Sequence, residues 1–492
     1  MSLINVRNLT FSYDGSYDNI FENVNFQIDT NWKLGFTGRN GRGKTTFFNL
    51  LLGKYEYSGS ISSSVNFEYF PFDVKDEEDM TIDVVNSILP DCLQWKLMRE
   101  FSFLELSEDV LYMPFNLLSK GEQTKVLLAV LFLKENSFLL IDEPTNHLDM
   151  NARKLVSKYL NTKSGFILVS HDKDFLDNCV DHILSINKAN IEIQKGNFSS
   201  WWENKQKQDN FEVMENEKLK KDINRLSEAA KRTNNWSNEV EKSKKGSTNS
   251  GSKIDRGFVG HKAAKMMKRS KSIESRQKAA IEEKSKLLKN IESSDKIKVC
   301  QLKYNKSQLV ELKDISIYYD DKIICEDISF TIEQGDRVAL IGRNGSGKSS
   351  IIKLICDENI GYRGTFRKGS QLKISYVSQD TSHLRGNLSD YALDNDIDES
   401  LFKSILRKLD FSRVQFEKDI SSFSGGQKKK VLLAKSICDR AHLYIWDEPL
   451  NFIDIISRMQ IEELILEYSP TLLFVEHDSS FCENIATKVV KL

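Results

Sequence analysis

An eight-residue pattern that can hold phosphate occurs twice in this chain, at residues 38–45 and 342–349. Both copies read Gly-x-x-x-x-Gly-Lys-Ser/Thr and lie between a short apolar segment and a helix-like segment, which is the context this motif requires. The glycines let backbone N–H groups point inward around a phosphate, and the following helix adds the positive end of its dipole. We therefore predict two sites for a nucleoside triphosphate.

Other motifs return at the same spacing, which indicates that a whole domain is duplicated. A Ser-x-Gly-Glu/Gln motif at 119–122 recurs at 424–427, and each half has apolar strands that end in Asp-Glu and in His-Asp. Strands that alternate with helices around such a loop predict a layered α/β domain with a largely parallel sheet. We assign these domains to residues 1–200 and 301–492. Three pairs, 304, 305 and 306 positions apart, set the register: Lys44 with Lys348, Asp142 with Asp447, and His171 with His477.

The segment between the two domains, residues 201–300, has a different pattern. Apolar residues at helical spacing flank a Gly/Ser-rich break at 246–252, which predicts a long antiparallel helical hairpin. Residues 231–276 contain 13 Lys and Arg against four Asp and Glu, while the whole chain has a net charge of −1. A concentrated basic segment favours contact with a polyanion, although a solvated charged helix is the simpler alternative.

Composition excludes some classes of protein. No apolar run approaches the roughly 20 residues of a membrane span, and the N-terminal residues lack the basic start and apolar core of a signal peptide. The seven cysteines are scattered without a Cys-x-x-Cys pair, as is usual for a reducing compartment. We expect a cytoplasmic protein with no membrane partner.

Carboxylates at the ends of apolar strands predict a metal site in each half. Asp142 and Asp447 are placed to hold Mg²⁺ through water, opposite the hydroxyls of Thr45 and Ser349. A lone Asp-Glu pair is usually an ordinary surface feature. Here each pair lies at the same distance from a phosphate loop in both halves, which favours the functional interpretation.

The neighbouring residues fit the chemistry of hydrolysis. Glu143 and Glu448 are suited to orient and deprotonate an attacking water, and His171 and His477 can contact the γ-phosphate. A single histidine near a strand end is more often structural. Its recurrence at matching distance makes a catalytic role the better hypothesis for both.

The order of these motifs resembles the ATP-binding cassette (ABC) superfamily. Two cassettes, no membrane span and a charged helical linker resemble its ABC-F subfamily of ribosome-associated ATPases, and the run Asp-Glu-Pro-Thr-Asn-His-Leu-Asp at 142–149 is specific to that group. The segment Asp-Arg-Gly-Phe-Val-Gly-His-Lys at 255–262 contributes to a resemblance to Lsa-type antibiotic-resistance proteins. The resemblance covers essentially the whole chain.

This resemblance implies a mechanism and a set of site residues. The chain would be a monomer whose two cassettes close head to tail, so that each ATP, with Mg²⁺, lies between one P-loop and the signature of the other half. Tyr13 and Tyr319 would stack on the adenines, and Gln379 would join the metal site. The nucleotide-binding set would comprise Tyr13, Gly38, Asn40, Gly41, Gly43, Lys44, Thr45, Thr46, Ser119, Gly121, Glu122, Tyr319, Gly342, Asn344, Gly345, Gly347, Lys348, Ser349, Ser350, Gln379, Ser424, Gly425, Gly426 and Gln427.

The resemblance also implies a partner, the bacterial ribosome with its large-subunit rRNA and tRNA. The ATP-bound form would insert the linker toward the peptidyl-transferase centre and displace lincosamide, pleuromutilin and streptogramin A drugs, and hydrolysis would drive release. Cations for phosphates and an aromatic for stacking suit an RNA surface. The expected tip residues are Lys244, Lys245, Lys253, Arg256, Phe258 and Lys262.

Several positions depart from the family pattern. Phe72 replaces the glutamine that Gln379 supplies in the second half, Lys120 stands where the signature has glycine, and residues 450–454 lack the Thr-Asn-His of the first copy. Three other functions remain open. They are a housekeeping ABC-F translation factor, the energising subunit of a membrane transporter, and a DNA-repair or chromosome ATPase.

Overall fold

The computed structural model describes residues 2–13, 19–72, 74–90, 92–146, 148–187, 190–243, 301–319, 322–343 and 345–492, with six further positions between 265 and 276. The chain divides into two compact units. The first combines Met1–Trp201 with Lys296–Leu492, and the second is Trp202–Asp295. Within the first unit, "first half" denotes the residues up to Trp201 and "second half" those from Lys296.

The first half combines a small antiparallel sheet, a larger mostly parallel sheet and helices. The small sheet has the order β2-β1-β4, and the larger one has the order β5-β6-β7-β3-β8-β9. In chain order the elements are β1 Leu3–Phe11, β2 Phe21–Asp29, β3 Lys33–Thr37, α1 Lys44–Leu51, β4 Ser58–Ser62, β5 Asn66–Phe70, α2 Thr81–Ile88, α3 Gln94–Phe103, α4 Lys120–Leu131, β6 Ser137–Asp142, α5 Met150–Asn161, β7 Phe166–Val169, α6 Lys173–Cys179, β8 His182–Asn187 and β9 Asn190–Lys195.

The second half repeats this plan. Its small sheet has the order β11-β10-β13, and its parallel sheet has the order β14-β15-β16-β12-β17. The elements are β10 Gln308–Tyr319, β11 Lys322–Glu333, β12 Arg337–Ile341, α8 Lys348–Ile355, β13 Gly361–Lys368, β14 Ile374–Val377, α9 Leu388–Asp394, α10 Glu399–Lys408, α11 Gly425–Cys438, β15 Leu443–Asp447, α12 Ile455–Tyr468, β16 Leu472–Val475, α13 Ser479–Ile485 and β17 Lys488–Lys491.

The order of the parallel strands brings the predicted motifs to one edge. In the first half, β7 pairs with both β3 and β6, all in parallel. The phosphate loop follows β3, Asp142 ends β6, and His171 follows β7. Because the carboxyl ends of parallel strands meet at the same edge, these groups converge there.

Burial on both faces explains why these strands are continuously apolar. Every residue of β7 is buried, as is every residue of β16 in the second half. Sheets covered by helices on both faces need such runs rather than an alternating pattern. The α/β class with two tandem domains, predicted from the sequence, is confirmed.

The second unit contains most of α7, Phe198–Ser243, which is the first of the two predicted linker helices. Phe211 and Met214, two of the apolar residues at helical spacing on which the predicted helix rests, are 66% and 61% exposed. The six further positions up to Arg276 are helical as well. The tip and the remainder of the second predicted helix lie outside the described residues, and the boundaries at 200 and 300 remain predictions.

Among the helices that the structure describes, none combines the length and the apolar character needed to cross a membrane.

Candidate nucleotide-binding sites

Each phosphate loop has the backbone that its glycines permit. Gly43 and Gly347, directly before α1 and α8, have φ values of 95° and 91°. A side chain at position 43 would be strained, and its Cβ would lie 2.6 Å from Ile20. Lys44 Nζ donates to the carbonyl oxygen of Gly38 at 2.7 Å, and Lys348 Nζ donates to that of Gly342 at 2.9 Å. Both lysines therefore fold back over their own loops, where a phosphate would lie.

The two halves meet head to tail at the second phosphate loop. A cavity of about 1260 Å³ is bounded on one side by Gly345, Gly347, Lys348, Ser349, Ser350 and Tyr319 of the second half. Its opposite wall comes from the first half and includes Ser119, Gly121 and Glu122, together with Asp149. We call this cavity site two. It has room and polar partners for a nucleoside triphosphate.

The two halves also contact each other at the first phosphate loop. We call this position site one. Asn40 Nδ2 donates to the backbone carbonyl of Phe452 at 2.8 Å. A Cβ on Gly426 would lie 2.3 Å from that same carbonyl oxygen, so a glycine is required there. The main chain at Phe452 thus lies against both the first P-loop and the signature of the second half.

The signature residues also cap helices. Ser119 Oγ accepts from the N–H of Glu122, whose carboxylate accepts from the N–H of Ser119 at 2.9 Å. Ser424 and Gln427 form the same reciprocal capping box at the start of α11. This arrangement satisfies N–H groups that the first helical turn leaves unpaired. A structural role therefore coexists with the predicted role at the nucleotide.

The tyrosines assigned to the adenines lie beside their expected sites. Tyr13 is 43% exposed, and its hydroxyl forms a 2.8 Å hydrogen bond with Thr46 in α1. Its ring contacts Phe11 edge to face. Tyr319 is also 43% exposed and lines site two. Both rings are accessible to a base.

The strand-end aspartates lie where a cation would bind. Asp142 Oδ2 accepts from Tyr69 at 3.1 Å and from Thr45 at 3.4 Å. Burial raises the pKa of Asp447, and its Oδ1 is buried without a hydrogen-bond partner among the described residues. An unpartnered carboxylate oxygen next to the Ser349 hydroxyl fits a divalent cation. Clusters of three or more His, Cys, Asp or Glu that could hold a metal are absent from the described part of the chain. Mg²⁺ usually binds one or two carboxylates with phosphates and waters, so the residues present suffice.

The two predicted catalytic glutamates have different environments. Gln379 Nε2 and Asn451 Nδ2 both donate to Glu448 Oε2, at 2.8 and 2.5 Å, and His477 Nε2 lies 3.6 Å from Oε1. Burial alone would raise the pKa of Glu448, but its contacts with His477 and Asn451, with the positive charge of Lys429, bring that pKa below its ordinary value. Glu448 is thus held as an ionised group.

Glu143 is less firmly held. Burial, with the adjacent Asp142, raises the pKa of Glu143 to about 8. His171 Nε2 lies 3.2 Å from its Oε1, yet this oxygen makes no hydrogen bond to a described residue. Burial also lowers the pKa of His171 well below its ordinary value, so the imidazole is neutral. Phe72 replaces the glutamine here, and the centroid of its ring lies 4.9 Å from the ammonium nitrogen of Lys134.

Sequence reasoning missed a buried ion pair beside site one. Lys430 Nζ donates to Asp454 Oδ2 at 2.7 Å and to the carbonyl oxygen of Leu409 at 2.8 Å. Asp454 is fully buried and caps α12 by accepting from the N–H of Ser457. The matching Lys125 lines site two instead. Lysines in a charged helix are ordinarily expected at the surface, so only the packing reveals this pair.

Asn344 lies outside the described residues, as does the whole predicted tip, Lys244, Lys245, Lys253, Arg256, Phe258 and Lys262. The contacts expected between the tip and RNA or a drug therefore stay predictions.

The fold and the paired sites define a protein with two nucleotide-binding cassettes. The sequence profile of the family described as ABC transporter matches residues 21–146 and 325–451. This chain belongs to that family. The ATP-binding domain of the family is present in two copies in this chain.

Two curated relatives align with almost the entire chain. The ATP-binding protein Uup of Buchnera aphidicola subsp. Acyrthosiphon pisum is 28% identical over 517 residues, covering 99% of this chain and 80% of that protein. The ribosome protection protein VmlR of Bacillus subtilis is 27% identical over 483 residues, covering 96% and 84%. The chain is thus homologous to ABC-F proteins, as predicted.

Among solved structures, an RNase-L Inhibitor superposes with a TM-score of 0.63 at 17% identity, covering 99% of this chain and 87% of that one. This similarity concerns the fold.

Proposed function

We propose that the protein is an ATPase that binds and hydrolyses ATP at sites one and two. The observation that carries this proposal is the cavity at site two, which is bounded by the P-loop of one half and the signature of the other. At its inner end Glu448 is held ionised by Gln379, Asn451 and His477. An ionised carboxylate in this position can accept a proton from water as it attacks the γ-phosphate.

Each residue then has a defined task. The P-loop N–H groups and Lys348 bind the phosphates, and Tyr319 stacks on the base. Mg²⁺ would be held by Asp447 and Ser349, with Gln379 nearby, and would neutralise charge on the β- and γ-phosphates. Glu448 orients the water and takes its proton, while His477 contacts the γ-phosphate. Site one would use Lys44, Thr45, Asp142, Glu143 and His171 in the same roles.

We further propose that the ribosome is the partner and that the protein confers antibiotic resistance. The basic segment 231–276 matches a polyanion, since Lys and Arg supply affinity for RNA phosphates. A relative of 27% identity carries the name ribosome protection protein. The ATP-bound monomer would pair its own cassettes and direct the linker toward the peptidyl-transferase centre in the large-subunit rRNA. It would displace lincosamide, pleuromutilin and streptogramin A drugs in the cytoplasm, and hydrolysis would release it. The Lsa type is the subtype we propose.

The direct test is translation in vitro with each drug, with and without the purified protein. Rescue of translation that requires ATP supports the proposal. Unchanged inhibition by all three drug classes refutes the resistance role. Phe258→Ala, with Val259→Ala as a matched control, then tests the tip. We expect loss of protection with ATPase activity and ribosome binding retained for Phe258→Ala only. Full protection by Phe258→Ala would show that this side chain is not the effector.

A housekeeping translation factor of the same subfamily is the second candidate function, since it would use the same ATP sites and the same basic linker. Such a factor would change translation without a drug and give no protection with one. Co-sedimentation with ribosomes or with membranes tests the transporter alternative in the same preparation. Recovery with the membranes alone would contradict the ribosomal proposal.

A further inference from the structure

An ion pair joins the two halves beside site one. Asp410 Oδ1 lies 2.8 Å from Arg39 Nη1 and 3.5 Å from Arg42 Nη2. Both arginines belong to the first P-loop, and Asp410 follows α10 in the second half. The carboxylate is 18% exposed and Arg39 is 24% exposed, so this pair is partly shielded from water.

The duplication supplies a counterpart of this pair at site two. Arg343 is the P-loop residue that corresponds to Arg39, 304 positions later. Glu105 corresponds to Asp410, 305 positions earlier, and the segment Leu-Glu-Leu-Ser at 104–107 aligns without a gap with Leu-Asp-Phe-Ser at 409–412.

The backbone at these two acidic residues has the same conformation. Glu105 and Asp410 each come two residues after the end of a helix, with φ values of 52° and 68°. The N–H of Glu105 donates to Ser102, and that of Asp410 to Arg407, three residues back in each case. A positive φ outside glycine is uncommon, so its recurrence indicates that the two residues occupy equivalent backbone positions.

The pair at site two is not formed in this structure. Glu105 and Arg343 both line the site-two cavity, and both are exposed. In the described part of the chain neither side chain makes an ion pair. Site two also has one arginine fewer, because Ser346 takes the place of Arg42.

A carboxylate in the wall of a cavity that receives a triphosphate repels that ligand unless a cation compensates it. Arg343, in the opposite wall, is such a cation. We propose that Glu105 and Arg343 form an ion pair across site two when the halves close on ATP, and that they are positioning residues for the nucleotide there. The proposal rests on the ATPase function proposed above.

Charge reversal tests the pair. The parent chain carries Lys44→Met, which disables the P-loop of site one, and Glu448→Gln, which stops ATP turnover at site two. The affinity of site two is then measured with a fluorescent ATP analogue. Arg343→Glu alone leaves two uncompensated carboxylates facing the triphosphate and should weaken binding about 3- to 10-fold, whereas Glu105→Arg alone removes a carboxylate from the cavity wall and should not weaken binding. The double reversal should restore affinity to within about twofold of the parent chain. Glu108→Arg, the same charge change in an exposed residue outside the cavity, should leave affinity unchanged.

The outcomes separate the explanations. If the free-energy changes in binding measured for the two single variants simply add in the double variant, the ion pair is overturned, because independent sites are additive. A loss with Arg343→Glu that Glu105→Arg does not restore also overturns it and indicates that Arg343 contacts phosphate directly. If a variant does not fold, shown by its circular dichroism, Glu105→Gln with Arg343→Gln replaces it, and nonadditive losses are then the supporting result. Failure of the wild-type chain to bind the analogue would instead contradict the ATPase function itself.

Discussion

Removing the charge of Lys430 should destabilise the second half far more than the same change at Lys125. Lys430 Nζ is 2.7 Å from Asp454 Oδ2, and their side chains are 5% and 0% exposed. Lys430→Met keeps most of the volume and leaves Asp454 buried without its cation. Breaking a buried pair on one side costs about 3–5 kcal/mol. For a domain near 190 residues this corresponds to a fall in Tm of roughly 6–20 °C.

The pH dependence of the Tm difference between Lys430→Met and wild type is a second test of the buried ion pair. Burial would raise the pKa of Asp454, but Lys430, in direct contact, holds it below its ordinary value. A carboxylate whose pKa is depressed in the folded state adds stability above its unfolded pKa, about 3.9. This stability is lost as pH falls through the folded pKa. In Lys430→Met burial dominates, so the folded Asp454 protonates more readily. We therefore expect the Tm difference from wild type to be largest near pH 7 and to narrow toward pH 4.

The assay is thermal unfolding without nucleotide, followed by circular dichroism at several pH values. Lys125→Met is the matched control, since Lys125 is partly exposed at site two, and its Tm should stay within about 2 °C of wild type. The double variant Lys430→Met/Asp454→Asn retains an oxygen to cap α12 and should recover most of the loss. A Tm within 2 °C of wild type for Lys430→Met alone would refute the argument.

Three further predictions concern the sites themselves. The double variant Glu143→Gln/Glu448→Gln should bind ATP normally, and its ATPase turnover, measured as phosphate release, should fall by at least about 100-fold. If this variant dissociates from ribosomes in ATP as readily as wild type, hydrolysis does not drive dissociation. Glu448→Gln alone should reduce turnover more than Glu143→Gln, because Phe72 leaves site one without the amide that holds the glutamate in site two; equal single losses would count against this asymmetry. Gly426→Ala should disrupt the contact with Phe452, since its Cβ would lie 2.3 Å from that carbonyl oxygen, and ATPase activity equal to wild type would contradict the tight approach.

The parts of each site that the sequence predicted are local motifs. A P-loop needs glycines next to a lysine, and a buried strand that ends in carboxylates is apolar along its length, so the sequence alone is enough to locate Lys44 and Asp142. Because the domain is duplicated, the same motifs in the second half locate Lys348 and Asp447. The α/β class followed from the same alternation of strands and helices.

The remaining features depend on packing between distant segments. Asp410 contacts Arg39 across 371 positions of sequence, and no periodic signal marks either residue. Tyr69 reaches Asp142 because β5 and β6 are neighbours in the sheet, an order that the sequence does not reveal. The contact of Asn40 with the carbonyl oxygen of Phe452, between the two halves, likewise could not be expected from the P-loop motif.

The short segment from Glu448 to Phe452 links the chemistry of both sites. Glu448 and Asn451 belong to the interior of site two, while the carbonyl of Phe452 holds Asn40 in site one. Residues 448–452 form a compact turn, in which the N–H of Asn451 donates to the carbonyl oxygen of Glu448 at 3.4 Å, so only a few residues of main chain separate the two sites. Free-energy coupling between two binding sites is reciprocal. Any effect that nucleotide at one site transmits through this segment to the affinity of the other would therefore act by the same factor in both directions.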